Sequence, residues 1–484
     1  MAAPAFAQDA TPDPSDATAD AAIAAATPVD DAQAKIALLQ AQVEALQESL
    51  TQIQANMAKT APTWKGAPEY ADKESGFTFK PKGTIQYDAG LVGYPDGNRL
   101  PGTINGLNYN NLGFNTRFRR AIIGAEGSLP GGFGYNVEFN LAQGTVDYED
   151  VVLTYQRKNS PLKVTLGNFY PFSSLETMTS SKFTSMMERA SFTDAFGLNR
   201  RLGIGVQLLD TKADKYTVSG GFFSQPINDF VGSNSTTPNY NRTGWEAAFR
   251  ATYSPMLGST KLHLGASLHH RENQRDAQND RLRSRPLTQI TDQRFVDTGA
   301  IAAKSDNIAG VEFGAIMKSF HFAAEAQKTW VNAYRPGAVF GANDGTGGGA
   351  FLNGNPSFWG GYAEVGYFFT GETRGYKGGK WDRTKVKHPF GEGGWGALQI
   401  NARADYVNLT DDLSGSSASL AAPFYVNGGK QLGLQTSIIW NPTDYVRFMA
   451  QYGRVHVKGG PRVTAATGPT FNADTAAVRA QFDF

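Results

Sequence analysis

The chain has 484 residues, 54 of them glycine, with 12% aromatic and 18% charged residues and no cysteine, which excludes disulfides, thiolate chemistry and cysteine-bound metals. It contains no run of 18 or more apolar residues, so no transmembrane helix is encoded. The formal charge of +1 hides an asymmetry: residues 1–60 hold eight acids and two bases, leaving 43 basic against 36 acidic residues in 61–484, a mild excess that bears on preferred small ions rather than on fold.

Residues 1–7 contain Ala5-Phe6-Ala7, a small-x-small pattern of the kind cut by signal peptidase, and are read as the remnant of an export signal. Residues 8–31 are mostly Asp, Ala, Thr and Pro with almost no large side chains. Such a stretch cannot bury enough apolar surface to offset its ordering, and it reads as a disordered acidic leader. From 32 to 59 the period becomes helical. Ile36, Leu39, Val43, Leu46, Leu50, Ile53 and Met57 fall at alternating spacings of three and four, with Gln40, Gln42, Gln47, Ser49, Gln54 and Asn56 at the flanking sites. One helix cannot hide this stripe alone. It needs partner chains, as a coiled coil of two or three strands, or a surface of its own chain. The coiled coil is the expectation, and residues 60–76 follow it as a Pro/Gly linker.

From residue 77 to the end the period is two. In "TIQYDAGLV", Ile85, Tyr87, Ala89 and Leu91 oppose Gln86 and Asp88; in "LQINARADY", Leu398, Ile400, Ala402, Ala404 and Tyr406 oppose Gln399, Asn401, Arg403 and Asp405. Sixteen such runs are counted between 82–92 and 474–484, most of them 8 to 13 residues long. A strand tilted by about 45° needs roughly 9–11 residues to cross a bilayer, and an even number closes a barrel with both ends on one side. Connections such as "LPGG" (129–132), "NSP" (159–161) and "NPTD" (441–444) are tight turns. Those at 170–199, 271–307, 330–357 and 371–393 are long and are assigned together to one rim. The fold expected is a transmembrane all-β, 16-stranded antiparallel barrel over 77–484, with an inward-folded loop and the short N-terminal helix. A soluble β-helix or sandwich is the alternative, but neither explains strands of bilayer length with apolar residues on one side and acids and bases on the other. A closed barrel has no edge, so its last strand pairs with its first; this accounts for a chain that ends in "AVRAQFDF" with an aromatic last.

Catalytic signals are weak. "GASLH" (265–269) lacks the closing glycine of a nucleophile elbow, and "NDGTGGGA" (343–350) has no Lys-Ser/Thr after it to cradle phosphate. No enzyme activity, cofactor or metal is expected. The cations carry more information. In "TRFRRAIIG", placing Phe118 toward lipid sends Arg117 and Arg119 into the lumen, and Arg120 then has the wrong parity unless it lies at the rim or at a bulge. The segment 169–201 holds Phe169, Phe172, Leu175, Met178, Phe183, Met186, Met187, Phe192 and Phe196, which need burial. Folding inward against the wall supplies it, narrows the pore and brings Lys182 and Arg189 to the lumen. "DRLRSRPL" places Arg281, Arg283 and Arg285 on one side of an extended chain, where forked donors suit phosphate-type anions, although such a row can equally be a solvated surface.

Taken together, "FRRA" (118–121), "LKVTLGNFY" (162–170), "TSSKFTSMMER" (179–189), "FFTGETRGYKGGKWDR" (368–383), "GWGALQINARADYVNL" (394–409) and "VRAQFDF" (478–484) resemble the phosphate-selective porin O/P family. The resemblance implies an outer-membrane homotrimer whose third outer loop constricts an anion-selective pore lined by arginines and a lysine. It matches Arg119 and Arg120 to the family's paired strand arginines and Lys182 to its constriction lysine. Arg281, Arg283 and Arg285 match its outer-loop row, and Glu149 its acid near the lysine. Phe484 matches the signal read by the barrel-insertion machinery. Gly83-Thr84 departs from the Gly-Arg often found in the family's first strand, so one rung is missing. The expected partners are membrane lipid, lipopolysaccharide and inorganic anions, and no nucleic acid. The expected place is the outer membrane of a Gram-negative bacterium, with the helix periplasmic. A general, weakly anion-selective porin and an envelope-organising protein acting through its coiled coil are the alternatives.

Overall fold

The computed structural model describes residues 28–484 apart from 61, 65, 73–74, 96–102, 105–106, 109–111, 145, 225–226, 228–242, 274–278, 339–348, 415–422 and 462–468. The export remnant at 1–7 and most of the acidic leader lie outside the described residues. Two compact units result, residues 1–61 and 62–484.

In the first unit a single helix, α1, spans Pro28–Thr60. It begins at a proline, which is tolerated in the first turn because its missing N–H has no helical partner there. Of the predicted heptad stripe, Ile36, Leu39, Val43, Leu46 and Leu50 are all exposed.

The second unit is a closed antiparallel barrel of sixteen strands. The first eight are β1 Thr78–Val92, β2 Gly113–Leu129, β3 Phe133–Asn140, β4 Asp147–Tyr155, β5 Leu162–Phe169, β6 Arg201–Leu209, β7 Tyr216–Phe223 and β8 Thr243–Tyr253. The rest are β9 Thr260–Asn273, β10 Ile301–Met317, β11 Phe320–Ala333, β12 Ser357–Phe368, β13 Ala397–Asp412, β14 Tyr425–Asn441, β15 Val446–Lys458 and β16 Thr470–Asp483. Each pairs with the next, and β16 closes on β1 from Thr475↔Val92 to Asp483↔Thr84. At the seam Phe484 exchanges backbone hydrogen bonds with Gly83. A Cβ on Gly83 would stand 2.4 Å from the Phe484 ring, so glycine is what lets the terminal aromatic lie on the first strand.

The alternation runs opposite to that of a soluble β protein. On β1 and β16 the polar Thr84, Gln86, Asp88, Arg479, Gln481 and Asp483 are buried, while Ile85, Tyr87, Val478 and Phe482 are exposed. Apolar residues therefore face outward and polar ones inward, as a wall in lipid around an aqueous lumen requires. Outward aromatics pair near the rims, among them Phe133 with Tyr155, Trp440 with Phe448 and Trp359 with Tyr406.

The stretch read as a linker, 60–76, is in part ordered against the barrel. Thr63–Trp64 pairs with Pro68–Ala71, whose Tyr70 and Ala71 pair with Phe79 and Thr78. The assignment of long connections to one rim needs one correction. Those at 170–199, 271–307 and 330–357 follow odd-numbered strands, whereas 371–393 follows β12 and lies on the rim of the tight turns. In an antiparallel barrel the parity of the preceding strand decides the rim.

The β1–β2 ladder resolves the parity of the paired arginines. Gln86 faces Arg120 but Tyr87 faces Phe118, so Arg119 is an extra residue in β2. Phe114, Thr116 and Phe118 are exposed before this bulge and Ile123 after it, which shows the alternation shifting by one.

Candidate functional site

Residues 170–200 fold into the barrel as an inner loop. Ser174 caps a one-turn helix, α2 (Leu175–Met178), by accepting from the Thr177 N–H at 3.2 Å, and a second short helix, α3, covers Ser191–Ala195. Of the nine apolar residues needing cover, Phe169, Phe172, Leu175, Met186, Met187, Phe192 and Phe196 are buried. Met178 and Phe183 are half-buried.

Polar side chains of β11 to β16 hold this loop against one side of the wall. Glu325 accepts from the Glu176 N–H at 2.8 Å, and Ser185 Oγ donates to Glu364 at 2.9 Å. Ser191 Oγ donates to Asp405 at 2.8 Å, and Ser437 Oγ to the Ser185 carbonyl at 2.6 Å. Arg447 Nη1 donates to the Lys182 carbonyl at 2.6 Å and Arg479 Nη1 to the Met187 carbonyl at 2.5 Å. Arg403 joins Glu176 of the loop (2.7 Å) to Glu364 of the wall (2.6 Å). The remaining space lies mainly between the loop and β1–β6, as three cavities of about 260, 400 and 640 Å³.

The outer cavity, of about 260 Å³, brings together Arg119, Arg120, Arg189, Arg200 and Arg285 with Glu149, Glu188 and Asp194. Their charges are not equally available. Arg119 forms a forked pair with Glu188 (2.9 and 3.2 Å), and Glu188 also takes Arg479 at 2.7 Å. Burial pushes the Glu188 carboxyl upward, but Arg119 and Arg479 outweigh it and hold it well below the usual carboxylate range. Arg120 Nη1 donates to the neutral Gln86 at 2.8 Å. Arg117 donates to the Gln289 carbonyl. Arg189 closes the loop on itself, donating to the carbonyls of Glu176, Thr177 and Thr179.

Lys182 faces the next cavity inward, which it shares with Lys82, Arg120 and Glu149. Burial lowers its ammonium pKa, and Asp483, 4.0 Å away, acts in the opposite direction. Glu149 pairs with Arg200, which also binds Asp150 at 2.6 Å. The arginine row of 281–285 does share one side of an extended chain, opposite the buried Leu282 and Ser284. Only Arg285 of the three lines the outer cavity. Arg281 is held by Asp297 at 2.6 and 2.9 Å, and Arg283 is exposed.

From the tight-turn rim a second element enters beneath the loop. Gly375–Lys377 and Lys380–Asp382 form a small hairpin with Trp381 buried. The Trp381 backbone N–H donates to Thr179 Oγ1 at 3.3 Å, and Arg374 donates to the Phe183 carbonyl. Tyr376 hydroxyl meets His263 Nδ1 at 2.7 Å, and Arg250 donates to the Gly379 carbonyl at 2.7 Å. Lys380 thereby lines both inner cavities.

Sequence reasoning singled out neither Lys82 nor Arg200 nor Tyr170. The signal for Lys82 was present: Lys80, Lys82, Thr84, Gln86 and Asp88 share one parity, so a lysine stands two residues before the missing rung. Arg200 and Tyr170 flank the loop, where no period marks direction.

A family model described as phosphate-selective porin O and P matches residues 86–484. The chain is 36% identical over 433 residues to an uncharacterized protein of Caulobacter vibrioides, covering 88% of this chain and 78% of that one. It is 26% identical over 420 residues to porin O of Pseudomonas aeruginosa, covering 80% and 85%. Among solved structures it is similar to the outer membrane channel DcaP of Acinetobacter baumannii, with a TM-score of 0.46 and 11% identity over 86% of this chain and 99% of that chain. The family match spans the barrel from the first strand to the last residue and covers the inner loop and its arginines. The chain belongs to the phosphate-selective porin O and P family and is an outer-membrane channel, not an enzyme.

Proposed function

We propose that the channel conducts phosphate-type oxyanions by passive diffusion, drawn in by the outer arginines and passed along the loop to the lysines. The observation that carries this reading is Arg120. The bulge turns it inward, its described hydrogen bond is to neutral Gln86, and it lines both the outer cavity and the one below. Its charge is therefore left for an ion, while Arg119 is engaged by Glu188. Arg117, Arg285 and Arg189 add to the positive field, and Lys182 and Lys82 continue it inward. Arg283 contributes at the mouth, where Arg281 is neutralised by Asp297. A passing anion exchanges part of its hydration shell for these fixed donors, and each contact is weak enough for release.

A general anion-preferring pore is the second reading. It is favoured by the cavity beside Lys182, where Glu126, Glu138, Glu149, Asp150 and Asp382 nearly balance the cations. Single-channel conductance in a planar bilayer under a KCl gradient, followed by phosphate titration, separates the two. Chloride-favouring reversal potential with block at low phosphate supports the first reading; weakly selective current without block supports the second.

The chain is further proposed to act as a homotrimer surrounded by lipid and lipopolysaccharide, inserted through recognition of Phe484. Strands β3–β7 of 8–9 residues, apart from the part of the wall with longer strands, support this. At about 40° tilt 8–9 residues rise only roughly 20–23 Å, below the ~25 Å apolar band of such barrels, so this sector suits a neighbouring barrel better than lipid. The exposed stripe of α1 suits a periplasmic coiled coil among the same chains.

A further inference from the structure

The outward face of β9 to β12 carries a furrow headed by a lysine. Leu268 stands opposite Ala309, Ala309 opposite Lys328, and Lys328 opposite Trp359. Two residues nearer the tight-turn rim, Ala266 stands opposite Val311 and Val311 opposite Ala326. Alanines set among larger side chains leave an outward hollow of about 690 Å³. Its level follows from the aromatics. Along β12, Tyr367 and Trp359 both face outward, eight residues apart, a rise of roughly 20 Å at about 40° tilt. Tyr367 lies at the tight-turn end, so Trp359, with Trp330 of β11, marks the outer aromatic girdle, where headgroups begin. Lys328 is exposed between Ala326 and Trp330, while Gln327 and Thr329 are buried, so it points away from the lumen. Its ammonium lies 5.3 Å from the Trp330 ring centre, and among the described residues no carboxylate pairs with it. A cation turned to lipid at this depth is favoured when an anion of the membrane meets it. Lys304 of β10, exposed and 5.1 Å from the Tyr334 ring centre, adds a second cation nearer the outer rim.

We propose that this furrow binds a phosphorylated glycolipid of the outer leaflet, of the lipid A class, with one acyl chain laid over Ala309 and Ala326 and a phosphate on Lys328. The occupant is lipid and not a neighbouring barrel, because β9 to β12 have 12–17 residues and span the whole apolar band, unlike β3–β7. The lysine selects a headgroup of net negative charge over a zwitterionic one. The alanines give the chain a seat that a row of large side chains would fill. This inference rests on the proposal that lipopolysaccharide surrounds the barrel, and it is independent of which ion the pore conducts.

The test titrates the full chain, purified in detergent, with diphosphoryl lipid A or with phosphatidylethanolamine, and counts bound lipid by native mass spectrometry. Wild type should hold lipid A in preference to phosphatidylethanolamine. Lys328→Gln loses one hydrogen bond to a charged acceptor and should bind lipid A about tenfold more weakly. Ala309→Phe fills the furrow and should weaken both lipids. Single-channel conductance in KCl should keep its wild-type value in both variants, since neither side chain faces the lumen. Equal lipid A affinity in wild type and both variants would overturn the site and leave lipopolysaccharide around the barrel as proposed. Phosphatidylethanolamine held as tightly as lipid A would refute the headgroup assignment. Displacement of lipid A by inorganic phosphate alone would make Lys328 a site for the free ion and overturn the proposal. Wild type that holds no lipid A would refute the surrounding lipopolysaccharide and the furrow together.

Discussion

Replacing Arg120 by glutamine removes one positive charge at the point where the outer cavity meets the next. An anion about 4 Å from a guanidinium gains roughly 1 kcal/mol in bulk water and about 4 kcal/mol at an effective dielectric constant of ~20. A wet, narrow lumen lies between these limits, so about 2 kcal/mol is the working figure, near thirtyfold in affinity. Its described hydrogen-bond partner Gln86 is neutral, and the carboxylates that share its cavities are engaged elsewhere, Glu149 by Arg200 and Glu188 by Arg119 and Arg479. Glutamine can still reach that amide, so the wall should assemble. Arg281→Gln is the matched comparison. Its guanidinium is half exposed and forked onto Asp297, so its field is both neutralised and screened by salt. In bilayers at 0.1 M KCl, the half-blocking phosphate concentration should rise about thirtyfold for Arg120→Gln and less than about twofold for Arg281→Gln. Equal effects, or a larger one for Arg281, would refute the argument that the nature of the partner decides which arginines act on the ion.

Three further outcomes are expected. Arg479 is fully buried between Asp88 and Glu188, so Arg479→Ala leaves a buried carboxylate short of a partner and should cost about 3 kcal/mol, whereas Arg454→Ala, at an exposed pair with Asp474, should cost under about 1 kcal/mol. The temperature at which the compact barrel band converts to the unfolded band on a detergent gel reports both. Because Arg200 and Arg189 outweigh burial and bring the Tyr170 phenol down to about 8, raising the pH from 6 to 9.5 places a negative charge beside the outer cavity; chloride conductance should fall further through that range in wild type than in Tyr170→Phe, where the buried Lys182 ammonium still loses part of its charge. Deleting residues 9–60 should leave single-channel conductance intact, with any loss confined to trimer yield on native gels; a closed channel would instead tie the N-terminal segment to the pore.

Much of the wall is legible in the sequence because lipid and water impose opposite demands on alternate residues. The Gln86/Tyr87 alternation and its continuation in Arg479 and Gln481 mark lumen and membrane without reference to any other strand. The inner loop is legible for a related reason: nine large apolar residues in a connection have no place to go but inward. The rim of 371–393 was legible too, since counting strands places it after the twelfth, but length alone misassigns it. The partners of the charges were not. Whether Arg119 or Arg120 is neutralised depends on Glu188, a residue of the inner loop that β2 meets only once the loop has folded. Glu149 and Lys182 line one cavity, yet the described salt bridge of Glu149 is to Arg200, contributed by the far end of the inner loop.

These pairings explain how a lumen this rich in ions can be selective. The loop that narrows the pore is held by Arg403 between Glu176 and Glu364 and by Arg479 between Asp88 and Glu188, while Arg250 with Glu312 steadies the hairpin below it. Each ion in these clusters carries an opposite partner within hydrogen-bonding distance, so its long-range field nearly cancels. The clusters fix the shape of the passage and contribute little to the choice of ion. On the proposed function that choice falls to cations whose described hydrogen bonds are to neutral groups, among them Arg120 on the wall and Arg117 above it, and to the dipoles beside them. On that reading, exchanging one neutral neighbour such as Gln86 changes the preferred anion without disturbing the ion pairs that keep the loop in place.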